Sequence, residues 1–176
     1  MIETSSRRDA WLRLGNSALL RECREERYRA SGPGGQRRNK VETAVRLHHL
    51  PTGLSAHSSD SRYLEENRTT ALKRLRERIA LEVRAPFDLE APSPPPEFVA
   101  YRSPAGTLSV NPHNPAYSIV VATVLDALAA AEGSHAQAAD ALGLTRSQLV
   151  RFLRSDPHVW RVVTSSSLSS RSSHHL

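Results

Sequence analysis

Residues 29–45 read Arg29-Ala-Ser-Gly-Pro-Gly-Gly-Gln-Arg-Arg-Asn-Lys-Val-Glu-Thr-Ala-Val45. They set Gly34-Gly35-Gln36 between two strand-like runs and surround it with Arg29, Arg37, Arg38 and Lys40. Glycine has no Cβ, so such a tip can press backbone N–H groups against a ligand that a larger residue would hold away. The cations behind it favour a polyanion as the surface approached. Read from these residues alone, an ordinary glycine hairpin loop is the competing explanation.

Working outward, Glu26 to Ala30 alternates weakly and reads as a strand entering the loop, preceded by a short helix that Asn16-Ser17 can cap and that ends near Cys23. On the far side, Thr43 to Leu50 alternates more cleanly, with Val45 and Leu47 on one face and Arg46 and His48 on the other. Pro51-Thr52-Gly53 signals a turn and Leu54 to Ser58 a return strand. Asp60-Ser61 is placed to cap a long helix to about Val83, with Leu64, Leu72, Leu75, Ile79 and Val83 as its buried stripe. A long helix on a small antiparallel sheet predicts an α+β domain over residues 10–84.

Residues 85–115 hold eight of the eleven prolines and predict a semi-rigid, extended linker. Phe98, Val99, Tyr101, Leu108 and Val110 imply that part of it packs on something. Helical patterning returns over 116–162. A first helix from Tyr117 has Ile119, Val120, Val124, Leu125 and Leu128 on one face and stops at Gly133. A second, Ala136 to Leu142, is capped by Ser134 and ended by Gly143. A third follows Thr145 with Leu149, Phe152 and Leu153 inward, which makes an all-α helix-turn-helix pattern. The serine-rich tail, 163–176, predicts disorder.

The run around Gly34-Gly35-Gln36 resembles the catalytic loop of class I peptide chain release factors and their codon-independent ribosome-rescue relatives. Gly32, Gly34, Gly35, Gln36, Asn39, Thr43, Ala44 and Val45 fill that family's pattern. The likeness continues through residues 46–54 into Arg62, Asn67, Arg68, Ala71 and Leu72, and covers roughly 15–84. Two places depart from it. Arg37-Arg38 stands where the family has a small or polar residue and then Val or Ile; Tyr63-Leu64-Glu65-Glu66 stands where it has Ser-Gln and often basic residues. The first departure adds charge and removes an apolar anchor; the second sets glutamates at a helix start that in relatives faces RNA. The stretch 131–149 looks like the DNA-binding end of Fis-type regulators, although such units also dock proteins.

The resemblance implies hydrolysis of the ester joining a nascent peptide to tRNA, in the peptidyl-transferase centre of the large ribosomal subunit. On that model Gln36 is catalytic through its backbone N–H, which stabilises the tetrahedral oxyanion, while Gly34 and Gly35 permit its geometry. Arg37, Arg38, Asn39, Lys40, Arg46, Arg62 and Arg68 are then RNA-binding, and Arg146, Gln148, Arg151 and Arg154 form a second candidate face for nucleic acid, with a protein partner as the other option. The ribosome and peptidyl-tRNA are the expected partners, and no cofactor or metal is needed. A chain of this length leaves no room for a separate codon-reading domain, and its tail lacks the Lys/Arg run of some rescue relatives. Both points suggest release without a stop codon. The alternative is a non-hydrolytic RNA- or DNA-binding protein on the same fold.

Composition agrees. Residues 1–84 carry 18 Lys+Arg against 11 Asp+Glu, whereas the remainder carries 6 against 7. Arginine, 22 of the 24 basic residues, forks well onto phosphate. A single cysteine, Cys23, excludes an internal disulfide and a thiolate cluster. The eight histidines are scattered, with His48 and His49 on opposite strand faces. Ser31 lacks a nucleophile elbow and Gly32 to Lys40 lacks the ending of a P-loop. No run approaches a bilayer span of about 20 apolar residues, and the N-terminus is no signal peptide, so a cytoplasmic protein with no membrane partner is expected.

Overall fold

The computed structural model describes residues 2–29 and 42–172, with side-chain surroundings for 7–29 and 42–165. The chain divides into two compact units, Met1–Val83 and Arg84–Leu176.

The first unit is α+β, in the order α1 (Ile2–Arg13), α2 (Asn16–Arg21), β1 (Cys23–Tyr28), β2 (Ala44–His49), β3 (Ser55–Ser58) and α3 (Leu64–Glu82). The strands form one antiparallel sheet in the order β1-β2-β3. Period-two alternation puts Val45, Leu47 and His49 of the central strand on one buried face. Helix α3 covers that face with Leu72, Leu75 and Ile79, and adds Ala71 and Ala80, whose small side chains let it lie close. The turn after β2 needs Gly53 at φ +71, and His49 N donates to Leu54 O at 2.8 Å to close it.

Three expectations shift here. Helix α2 begins on Gly15, with no side-chain cap, and Asn16 instead accepts from Arg76 through Oδ1 at 2.8 Å. Helix α3 starts at Leu64 rather than after Asp60-Ser61, because Ser61 N is already bonded to Asn67 Oδ1. Helix α1 was not legible in the sequence, yet it buries Trp11, Leu12 and Arg8, and Arg8 Nη1 donates to Val83 O at the end of α3.

The second unit contains α4 (Pro96–Tyr101), α5 (Tyr117–Ala130), α6 (His135–Leu142), α7 (Arg146–Ser155) and α8 (Pro157–Ser172). Helix α5 is its axis. Every residue from Ile119 to Leu128 is buried, so the single apolar face expected from sequence is in fact a helix enclosed on all sides. Its one acid, Asp126, accepts from Arg84 Nη1 at 3.2 Å and Ala85 N at 3.0 Å.

The proline-rich segment is not simply extended. Pro96 sits in the first turn of α4, where its missing N–H costs nothing. Phe98 is fully buried as α4 packs on α5. Arg102 pairs in an isolated bridge with Leu108 and donates through Nη1 to Leu142 O at 2.8 Å. Much of 96–108 is therefore part of the helical unit. Over residues 163–172 the tail is helical rather than disordered as expected. Helix α8 runs to Ser172. Its start is held by Asp156 Oδ1, which accepts from His158 N at 2.8 Å. The hydroxyls of Thr164 and Ser165 bond back to carbonyls of the preceding turn, at Trp160 and Val162.

Candidate functional site

The last pair of the β1–β2 ladder is Tyr28 with Ala44. Antiparallel pairing holds such Cα atoms about 5 Å apart, so both roots of the connection between these strands are fixed as neighbours. Gly34, Gly35, Gln36, Arg37, Arg38, Asn39 and Lys40 belong to that connection and lie outside the described residues. The frame that carries them is described. At its edge Arg29 Nε faces Glu42 Oε1 at 3.6 Å.

The C-terminal root is held from below by Asn67, in the first turn of α3. Its side chain is buried and uses both ends of the amide. Nδ2 donates to Thr43 O and to Ser61 O, each at 2.7 Å. Oδ1 accepts from Ser61 N at 2.9 Å and Ser58 Oγ at 3.1 Å. One side chain thus ties the loop exit, the end of β3 and the start of α3 together. Sequence reading placed Asn67 in the family pattern and gave it no role. A lone polar position on the otherwise apolar buried stripe of α3 was the available signal.

The neighbouring Arg68 grips the other strand. Nε and Nη2 donate to the two carboxylate oxygens of Glu25 in β1, at 2.7 and 2.9 Å, and Nη1 contacts Glu65. These bonds hold the Glu25 carboxyl down at about 2, against the opposing effect of burial, and Arg27 adds to them. The same contacts raise Arg68 above the ordinary arginine value. A guanidinium so committed acts as a brace between α3 and β1 rather than as an open phosphate contact. Arg46 is different. It is exposed on β2 with its guanidinium 5.3 Å from the Tyr28 ring centroid. Arg62 is exposed too, stacked 4.8 Å over Tyr63 and donating to its Oη at 2.7 Å.

The basic surplus of this unit is therefore more internal than its sum suggests. Arg24, Arg27, Arg74 and Arg78 pair respectively with Glu26, Glu25, Asp60 and Glu82. Cys23 is half-buried, donates to Leu19 O, and is pushed up to about 11 by burial and by Glu22, so its thiol stays protonated at neutral pH. His49 is fully buried, bonded to Thr52 Oγ1 at 2.8 Å and edge-on to Trp11, and burial lowers its pKa. Among the described residues no cluster of three His, Cys, Asp or Glu is placed to hold a metal. No described helix is long and apolar enough to cross a membrane.

In the second unit, Ser134 Oγ accepts from Gln137 N and Thr145 Oγ1 from Gln148 N, and Gly143 ends α6 at φ +65. Arg146, Arg151 and Arg154 are exposed along α7 and Gln148 is half-buried, while Leu149, Phe152 and Leu153 are buried.

Residues 19–91 match the RF-1 domain, about two fifths of the chain. Relatives include peptide chain release factor 2 of an Acidovorax species, 48% identical over 58 residues that cover 33% of this chain and 16% of that protein. Peptide chain release factor 1 of Streptococcus thermophilus is 47% identical over 60 residues, 34% of this chain and 17% of that protein. The corresponding factor of Ureaplasma parvum is 48% identical over 58 residues, again 33% and 16%. The chain thus matches about a sixth of the length of these relatives. These likenesses support the class I peptide chain release factor family for the segment that holds the sheet, the Gly34-Gly35-Gln36 connection and α3. Most of the helical unit lies beyond the match.

Proposed function

We propose that this protein is a ribosome-dependent peptidyl-tRNA hydrolase, an enzyme that releases nascent peptide in translation termination, and that it does so without reading a stop codon. The observation that carries the proposal is the position of Gly34-Gly35-Gln36 in the β1–β2 connection of a segment matching the RF-1 domain. Attack of water on the ester carbonyl generates a tetrahedral oxyanion, and a preorganised N–H donor stabilises it. In the proposed mechanism Gln36 supplies that donor from its backbone while its side chain helps position the water. Gly34 and Gly35 allow the approach. Arg37, Arg38, Asn39, Lys40, Arg46 and Arg62 hold surrounding rRNA or tRNA. Arg68 and Asn67 act one step back, bracing the strands that end in the loop.

Residues 10–84 then form the catalytic domain, bound to peptidyl-tRNA in the peptidyl-transferase centre of the large subunit in the cytoplasm. Residues 116–162 form a helix-turn-helix module, for which the capped α6 and α7 and the left-handed Gly143 between them are the support. The exposed arginines of α7 give the chain a candidate recognition element beyond residue 91. They also favour the second reading, a non-hydrolytic nucleic-acid-binding protein.

Single-turnover release from purified ribosomal complexes separates the two. Gln36→Pro deletes the backbone donor and Gln36→Ala keeps it. Losing one such donor costs roughly 10²–10³ in rate, so proline should abolish release while alanine leaves a measurable rate, with ribosome binding equal in both. Wild-type protein that binds but never releases peptide would establish the non-hydrolytic reading.

A further inference from the structure

The helical unit divides sharply by charge. Residues 84–145 hold six acidic side chains against Arg84 and Arg102, and both arginines have inward bonds, Arg84 to Asp126 and Arg102 to the Leu142 carbonyl. Residues 146–164 reverse the balance, with Arg146, Arg151, Arg154 and Arg161 against Asp156 alone. That single acid is engaged inside the unit, accepting from Tyr117 Oη at 2.7 Å and from the His158 amide. Among the described residues no carboxylate pairs with any of the four arginines, and Arg146, Arg151, Arg154 and Arg161 are exposed.

Geometry brings two of these charges together. Ser147, Arg151 and Arg154 follow at spacings of four and three and so share one side of α7. The opposite side is Leu149, Phe152 and Leu153, all buried. Across the break at Pro157, Trp160 of α8 turns back toward this side, and the Arg154 guanidinium lies 4.9 Å from its ring centroid. Trp160 is half-buried and Arg154 beside it is exposed.

We propose that α7 and the first turns of α8 form a second RNA-binding face, on which Arg146, Arg151 and Arg161 hold phosphates and the Arg154–Trp160 stack receives an unpaired base. Flat side chains paired with guanidinium are suited to splayed bases, which stack on aromatic rings and arginine planes in single-stranded loops. A protein partner is disfavoured because α7, and α8 as far as residue 165, expose no large apolar side chain among the described residues. The exposed large hydrophobic side chains of the described residues are Leu50, Tyr63 and Val99, none of them on α7 or α8. A B-form duplex is disfavoured because the base-receiving stack lies at the end of α7 rather than along its length, where a helix in the major groove reads base edges. This face goes beyond the hydrolase reading and does not require it, since it concerns binding to RNA alone.

The test uses the full chain carrying Arg37→Gln and Arg38→Gln, so that loop charge does not mask the second face, and labelled probes followed by anisotropy. The probes are an RNA hairpin with an unpaired purine loop, a fully paired RNA duplex and a DNA duplex of the same sequence. The hairpin should bind tightest and quench Trp160 emission. Arg151→Gln with Arg154→Gln should weaken it at least tenfold and reduce the log–log salt slope by about 0.7, the value for the one phosphate contact, that of Arg151, lost on single-stranded RNA. Trp160→Leu should weaken hairpin binding while leaving that slope unchanged. Circular dichroism of each variant confirms that the helices persist. Equal affinity of the double arginine variant, a preference for the DNA duplex, or hairpin binding with no change at Trp160 would each overturn the proposal.

Discussion

Replacing Asn67 by alanine removes four hydrogen bonds at a buried position and leaves Thr43 O, Ser61 O, Ser61 N and Ser58 Oγ without this partner. Net contributions of about 0.5–1.5 kcal/mol per bond would sum to about 2–6 kcal/mol. Ser61 and Thr43 are only half-buried, so water recovers part of this and the expected loss is about 3 kcal/mol. Asn67→Asp is the sharper variant. It keeps the two acceptor bonds but turns an oxygen toward the carbonyls of Thr43 and Ser61, so at neutral pH it should cost at least as much despite being nearly isosteric. Protonation of that carboxyl restores one donor, and the aspartate variant should regain stability as pH is lowered toward 5. The chain has two tryptophans, Trp11 in the first unit and Trp160 in the second. In a Trp160→Phe background, urea unfolding followed by Trp11 emission reports the first unit alone. A loss below about 1 kcal/mol for both variants, well under the range expected for several buried bonds, would refute Asn67 as the tie between loop exit and helix.

Two further outcomes follow from the ionised and backbone features. Glu25 titrates at about 2 in the folded unit against 4.5 for an unperturbed carboxyl, so its pairing with Arg68 stabilises fully above about pH 4.5 and is lost as pH falls through 2. Unfolding free energies of wild type and Arg68→Gln should differ by about 1–2 kcal/mol at pH 6, after allowing for solvent screening. They should converge near pH 2; a gap that does not change with pH would contradict this assignment. In the second unit, Gly143→Ala places a Cβ at φ +65 and against the Arg102 guanidinium, which is held by Leu142 O. A loss of about 1–3 kcal/mol is expected, read from Trp160 emission during unfolding, and an unchanged midpoint would show that the turn tolerates a side chain.

The sheet and its covering helix were legible because their signals are local and strong: alternation through Val45 and Leu47, the Pro51-Thr52-Gly53 turn, and the Leu72–Leu75–Ile79 stripe. The caps at Ser134 and Thr145 and the stop at Gly143 were read in place for the same reason. What failed depended on partners distant in sequence. Helix α1 has weak apolar patterning and is fixed by Trp11 and by Arg8 reaching Val83. Proline content correctly forbids a long helix over 85–115, but it carries no information about Phe98 docking on α5. Net charge was the least faithful guide. It counts Arg68, Arg74 and Arg78 toward the basic surplus although each is paired with an acid. It also rates the second half as near-neutral, although its arginines gather on α7 and α8. The loop itself, Gly34 to Lys40, was read from sequence and lies outside the described residues, so its role rests on the pattern and on the frame at its roots.

The most direct measurement is peptide release by the wild-type chain from ribosomal complexes carrying peptidyl-tRNA, with the A site holding a stop codon, a sense codon or no codon. The account predicts release in all three, with rates that do not depend on a stop codon, and its loss in all three on Gln36→Pro. Release confined to stop-codon complexes would contradict the codon-independent reading. No release from any complex, by a folded protein that binds them, would contradict the hydrolase itself.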